Sequence, residues 1–416
     1  MSSDLLSYGE AVSLVARHIE RFGQTRRSVE RVSLESAQGR VLASPLYADA
    51  DQPPFPRSTR DGFACRATEI MGRGNLPIAG STRAGEAPAS ALPKGAAWEI
   101  MTGAPVPPGA DCVVMLEHVI NENGKLSLAP GRRISAGDNI VPLGAQARKG
   151  DELLPAGTPI AFAQVALAAA CGHVTLEVFA RPCVAILSTG DEIVSISSTP
   201  GPAQIRNSNG SMLAAMVTVA GGEPLVLPIT PDDAGALDAV ISRASEADML
   251  LVTGGVSAGK FDLVEPALAR AGADFHFTGV RMQPGKPLVF GELKPEGRAG
   301  AIPFFGLPGN PVSSAVTFLL FAAPVLAALA GNREIGPRFA LARLNLATGK
   351  QSKGGLTRFL PAQCSFGSGG DMPNVEPVPW HGSGDIAAMA RANCFLVLDD
   401  ESRHPEPGAT VRILLI

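Results

Sequence analysis

Apolar residues recur at three- and four-residue steps through Ala11, Val12, Val15, Ile19 and Phe22, with Glu10, Arg17, Glu20 and Arg21 between them. That spacing predicts an amphipathic helix over 8–22. From 45 to 160 short Val/Leu/Ile runs alternate with turn clusters such as DADQPPFP, TGAPVPPGAD and NENG. This predicts a mostly β region with long loops. Asn123-Gly124, between VVMLEHVI and KLSLA, is a hairpin signal. Residues 161–170 are Ala-rich and apolar at helical steps, and read as a helix.

Beyond 180 the period changes again. CVAILSTG, GEPLVLPI and DMLLVTGG read as strands, separated by helices over 209–220 and 232–247, the second with Asp232 as N-cap. A helix over 261–271 and the runs FHFTGV, PLVFG and IPFFG follow. Strands alternating with helices of this length predict βαβ units and a parallel sheet. After Gly331 the runs RFALARLNLA, TRFLPAQCSF, NCFLVLDD and TVRILLI predict a small all-β module. The segment 315–330 carries no charge. It is shorter than a spanning helix normally needs and Pro324 interrupts it, so it reads as a buried helix of a large core or of a subunit interface.

The 416 residues are enough for two to four domains. With 45% apolar and 18% charged residues the chain has the composition of a folded protein with real cores. A net charge of −4 and the lack of a basic tract argue against a nucleic-acid partner. The six cysteines are scattered, without a C-x-x-C pair, which argues against a zinc site or disulfide framework and fits a reducing, cytoplasmic setting. MSSDLLSYGEAV lacks the layout of a signal peptide.

The sharpest signal is chemical. Four apolar runs end in loops rich in Gly and short polar residues: Ser188-Thr189-Gly190-Asp191-Glu192, Thr230-Pro231-Asp232-Asp233, Thr253-Gly254-Gly255-Val256-Ser257 with Asp262, and Gly306-Leu307-Pro308-Gly309-Asn310-Pro311. On the carboxyl edge of an open parallel sheet these loops would meet where ligands bind. Glycines let backbone amides approach an oxyanion, and helix N-termini favour negative charge. Carboxylates at Glu192, Asp232 and Asp262 beside such an anion point to a divalent cation, Mg²⁺. A lone Asp232 reads equally as a helix cap, and Lys286 as a phosphate partner or a surface lysine. No His falls in these loops, so a hydrolase triad has no support.

These loops, with Ser58-Thr59-Arg60-Asp61-Gly62-Phe63-Ala64, Ile100-Met101-Thr102-Gly103-Ala104-Pro105-Val106-Pro107 and Pro284-Gly285-Lys286-Pro287, make the chain resemble the MoeA family, the molybdopterin molybdenumtransferases, nearly end to end. The resemblance implies a multidomain α/β plus β fold. It has a MogA-like α/β molybdopterin-binding domain at 179–330 and a mostly-β domain at 51–139. A discontinuous linker domain is built from 1–50 and 140–178, and a C-terminal β-barrel-like domain spans 336–416. It also implies a cytoplasmic homodimer with an intersubunit active site, possible contacts with other molybdenum-cofactor enzymes, and no nucleic acid or membrane. The implied reaction inserts molybdate into adenylylated molybdopterin with release of AMP and uses Mg²⁺.

Carried over on matching motifs, the catalytic set is Asp61, Thr102, Glu192, Asp232, Asp262 and Lys286, with Glu192, Asp232 and Asp262 as metal ligands. The binding set is Ser188, Thr189, Gly190, Asp191, Gly254, Gly255, Ser257, Pro308, Gly309, Pro311 and Ser383. The chain departs from the family pattern at Arg60, Ala145, Gln146, Asn207 and Gln283. The losses of carboxylate and Lys charge define an alternative reading, a divergent paralogue acting as a non-catalytic pterin-binding or scaffold protein.

Overall fold

The computed structural model describes residues 5–23, 27–244, 246–255, 263–295, 298, 300–334, 336–346, 355–367, 370, 372–399 and 405–416. Ser257 and Asp262 lie outside the described residues.

The βαβ pattern becomes a six-stranded sheet of β1 (Cys183–Ser188), β2 (Glu223–Val226), β3 (Met249–Thr253), β4 (Asp274–Phe277), β5 (Val289–Leu293) and β6 (Ile302–Leu307), ordered 2-1-3-6-5-4. Strands β2, β1, β3 and β6 are mutually parallel. The expected all-parallel sheet fails at one edge, where β5 runs antiparallel to both β6 and β4. The link from Leu293 to Ile302 is too short for a parallel crossover, which takes about a dozen residues or more. The chain leaves β1 for β2 on one side and returns to β3 on the other, so the strand order reverses between β1 and β3. All four Gly-rich loops follow the carboxyl ends of the parallel strands.

The run FHFTGV divides. Phe277 ends β4, and Val280–Gln283 crosses into a second sheet beside Leu6–Ser7 and Thr357–Ser365. That sheet contains a closed ring in which Thr357–Ser365 pairs with both Asn374–Pro377 and Cys394–Leu398, and Phe339–Leu344 and Thr410–Leu415 complete it. The C-terminal region is thus barrel-like, with one added helix at Ile386–Arg391.

The amphipathic N-terminal helix is present at Tyr8–Gly23. Expected with the stretch near 140–178, it instead buries Ala11, Val15 and Phe22 in the core of the α/β unit, against Leu213, Val217, Phe318 and Leu326. Segments that do pair with 140–179 include Val29–Ser33, antiparallel to Thr175–Phe179, Leu46–Tyr47, antiparallel to Glu152–Leu154, and Arg57–Ser58, antiparallel to Ile140–Val141. The uncharged segment overlaps Pro311–Leu329 in all but its last residue, a stretch mostly buried although long and apolar enough to cross a membrane. It is α-helical at Pro311–Thr317 and Ala323–Leu329 with a π-helical turn at Phe318–Ala322 between them. Pro324 has no N–H to give to the preceding turn, and a widened turn there relieves the clash of its ring.

The mostly β region holds a six-stranded sheet, and its hairpin turns at Asn123 and Gly124, both at positive φ (54° and 77°), as Asn-Gly turns do. The sequence reading missed the helix Ala67–Arg73. Its cap comes from a distance, with Ala67 N–H donating to Asp111 Oδ1 at 2.7 Å, so no local signal marks its start.

Candidate functional site at the strand reversal

A cavity of about 730 Å³ opens over the reversal point. Ser188 ends β1, with Thr189 and Glu192 after it, Thr253 ends β3, with Gly254 and Gly255 after it, and Pro308, Gly309, Asn310 and Pro311 follow β6; all line it. Pro287 and, from the C-terminal region, Gly384 and Ile386 close its far wall. Two of the glycines adopt conformations that side chains rarely take: Gly190 at φ +138° and Gly254 at φ +93°. At Gly254 space decides as well, because a Cβ would stand 2.3 Å from the Thr189 carbonyl oxygen, so its bareness seats the loop after β3 against the loop after β1.

Asp232 is not the helix cap. The helix begins later, at Ala234–Ala244, and Asp233 Oδ1 accepts from Ala236 N–H at 2.9 Å. Asp232 instead accepts the Thr189 hydroxyl at 2.7 Å and its own N–H donates to Asp191 Oδ1 at 3.2 Å. Freed from capping, Asp232 is tied to the loop that carries Glu192. Ser383 stands beside Gly384 and accepts Val312 N–H through its carbonyl at 3.0 Å. Lys286 has an exposed side chain that is not part of the cavity lining; its carbonyl accepts from Val280 N–H.

Sequence reasoning did not single out Asn209. It lies in the first turn of Ser208–Val219, and its Nδ2 donates to Thr253 Oγ1 at 2.8 Å and to the Gly309 carbonyl at 2.7 Å. It thus ties two of the loops to this helix. Its Oδ1 is buried with no partner on the cavity wall, an acceptor left for a ligand N–H or O–H. Asn207, a departure from the family pattern, caps the same helix: its Oδ1 accepts from Gly210 N–H at 2.9 Å and from Ser188 Oγ at 3.2 Å. Asn and Asp cap about equally well. Asn207→Asp is therefore expected to change stability by at most a few tenths of a kcal/mol, and Asn207→Ala to lower it by about 1 kcal/mol. Thermal-unfolding midpoints of the two variants check this.

Asp61 and Thr102 meet each other but not this cavity. Asp61 Oδ1 accepts from Thr102 N–H at 2.6 Å and from its hydroxyl at 2.8 Å. These bonds, the backbone one first, hold the carboxyl below its ordinary range. The stability from this pair is present above the unfolded value near pH 4 and lost as the pH falls through the lower folded value. Thr102→Val is expected to return the Asp61 pKa toward the ordinary range, as followed by carboxyl NMR titration.

Glu192 and Asp232 supply hard oxygen donors suited to Mg²⁺. Among the described residues, however, the single group of three donors lying within 4.8 Å of one another is elsewhere, at His18, His276 and Glu292. Two carboxylates near an anion pocket fit a cation that completes its shell with phosphate oxygens and water.

An open α/β sheet with Gly-rich loops around a cavity at its strand reversal, joined to a β barrel and a second β region, has the architecture of a multidomain protein that binds small ligands at a topological switch point. The chain matches three family descriptions in order. They are the MoeA N-terminal region (domain I and II) over 6–172, a probable molybdopterin binding domain over 185–328, and the MoeA C-terminal region (domain IV) over 343–416. It is 36% identical to the molybdopterin molybdenumtransferase of Bacillus subtilis over 98% of this chain and 93% of that one. The corresponding protein of Haemophilus influenzae is 32% identical over 92% and 93%. The crystal structure of the molybdopterin biosynthesis MoeA protein from Pyrococcus horikoshii superposes with a TM-score of 0.79 at 28% identity, covering 99% of this chain and all of that one. The chain belongs to the MoeA family.

Proposed function

We propose that the protein is a molybdopterin molybdenumtransferase that inserts molybdate into adenylylated molybdopterin and releases AMP. The cavity at the strand reversal carries this reading. It is lined by Ser188, Thr189, Gly254, Gly255 and Gly309, which can hold an oxyanion, and by Glu192, with Asp232 bonded to the same loop. Backbone amides at Gly254 and Gly255 would approach the phosphate oxygens, and the Ser188 and Thr189 hydroxyls, which donate to Asn207 and Asp232 here, would turn to them on binding. Glu192 and Asp232 would hold Mg²⁺, which neutralises charge on the phosphate leaving with AMP. Asp262 and Ser257 would complete this set from the loop after β3. Lys286, next in sequence to the cavity-lining Pro287, would add positive charge. The dithiolene supplies the metal-binding chemistry, and the protein positions it.

The same proposal includes a homodimer. No cavity-lining residue comes from 51–139, whereas the family motifs put Asp61 and Thr102 at the site. A second copy bringing its Asp61–Thr102 pair over the cavity completes the set. The division into a two-segment linker, a mostly-β unit, an α/β unit and a C-terminal barrel also belongs to it, with the N-terminal helix joined to the α/β unit by its packing. Six free cysteines support a reducing, cytoplasmic setting.

The retained carboxylates, and a structural role that Asn207 fills as well as Asp, favour the catalytic reading over the scaffold one. Purified protein given adenylylated molybdopterin, molybdate and Mg²⁺ is expected to release AMP in step with molybdenum incorporation. Pterin binding without AMP release would instead support the scaffold reading.

A further inference from the structure

One cluster of potential metal ligands stands apart from this chemistry. His18 lies on the helix Tyr8–Gly23, His276 on β4 and Glu292 on β5. A ligand atom from each lies within 4.8 Å of the other two. His18 Nδ1 is 2.7 Å from Glu292 Oε1, and His276 Nε2 is 3.3 Å from the same oxygen. Glu292 is 3% exposed, and the two imidazoles 18% and 15%. Phe290 packs edge-on against His18 and tilted against His276. A carboxylate buried among aromatic rings needs a compensating positive charge. Arg21, one turn along the helix from His18, supplies part of it: its guanidinium contacts Glu292 Oε1 and reaches His18 Nδ1 at 3.0 Å.

We propose that His18, His276 and Glu292 form a site for a first-row divalent cation of the zinc class, which fastens the N-terminal helix to the antiparallel edge of the α/β sheet. Two imidazoles and one carboxylate are a common donor set for such ions, with a water or a fourth ligand completing a tetrahedron. Metal–ligand bonds of about 2.0–2.1 Å in a tetrahedron put the donor atoms roughly 3.3 Å apart. The His276–Glu292 separation already meets this. The His18–Glu292 pair must open by roughly half an ångström, which a small rotation of the His18 ring provides. Arg21, 57% exposed, reaches the carboxylate from the surface. Arg21 and the cation are alternative partners of one carboxylate, so they compete.

That competition separates the site from a merely neutralised buried glutamate. The test titrates chelator-treated full-length protein with Zn²⁺ by calorimetry and with Co²⁺ by visible absorption, and records the thermal midpoint with and without Zn²⁺. The expected result is one ion per chain, a tetrahedral Co²⁺ band and a raised midpoint. His18→Ala and His276→Ala are each expected to weaken binding at least about 10-fold. Arg21→Ala is expected to tighten it, although it removes a stabilising partner of Glu292. Absence of saturable binding in both the wild type and Arg21→Ala would overturn the proposal. Binding unchanged in both histidine variants would overturn it equally.

Discussion

Glu192→Ala is expected to lower AMP release and molybdenum insertion by about 100-fold or more, with the thermal midpoint close to that of the wild type. The size follows from what removing one preorganised charge-stabilising group costs a transferase, typically two to three orders of magnitude. The selectivity follows from position. Glu192 is exposed on the cavity wall, and substitutions at such sites change stability by about 0.5 kcal/mol or less. Single-turnover AMP release, measured beside thermal unfolding, checks both halves. Turnover within a few-fold of wild type would remove Glu192 from the proposed cation set. Asp232→Ala is expected to act in the same direction, with a small added loss of order from the broken Thr189 bond.

Gly254→Ala has the second large effect and reaches activity through the backbone. At φ +93° an alanine is strained, and its Cβ would lie 2.3 Å from the Thr189 carbonyl oxygen. Neither atom is at the end of a flexible side chain, so β1 and β3 must separate where their loops begin. The expected cost is about 3 kcal/mol, the upper end for a residue forced into a left-handed conformation. AMP affinity is expected to fall at least about 10-fold because Thr189 lines the cavity. Denaturant titration and equilibrium binding measure the two effects. A stable variant with wild-type affinity would show that the loops are not seated on each other as described.

How much of this was legible in the sequence depends on how local each cause is. Strands β3 and β6 are buried throughout, and β1 beyond its first residue, so they read as unbroken apolar runs, with their Gly-rich loops in plain view. The Asn123-Gly124 hairpin was legible because its turn chemistry is local. The partner of the N-terminal helix was not, since an apolar stripe states that a helix is covered but not by what. Asp232 and Asp233 are indistinguishable as caps until the helix start is known. Asn209 was hidden for a related reason: it reads as an ordinary residue in the first turn of a helix, and only folding brings Thr253 and Gly309 to its amide. The antiparallel edge and the departure of Val280–Gln283 into the barrel sheet depend on pairings between distant segments, which no periodicity records.

The central claim is that the loops after β1, β3 and β6 surround one bound pterin nucleotide. A crystal structure of the protein soaked with adenylylated molybdopterin tests it most directly. The phosphates should lie against Ser188, Thr189 and the Gly254–Gly255 amides, with a ligand hydrogen-bond donor on Asn209 Oδ1. A fully occupied ligand bound elsewhere, with this cavity holding solvent alone, would contradict the account.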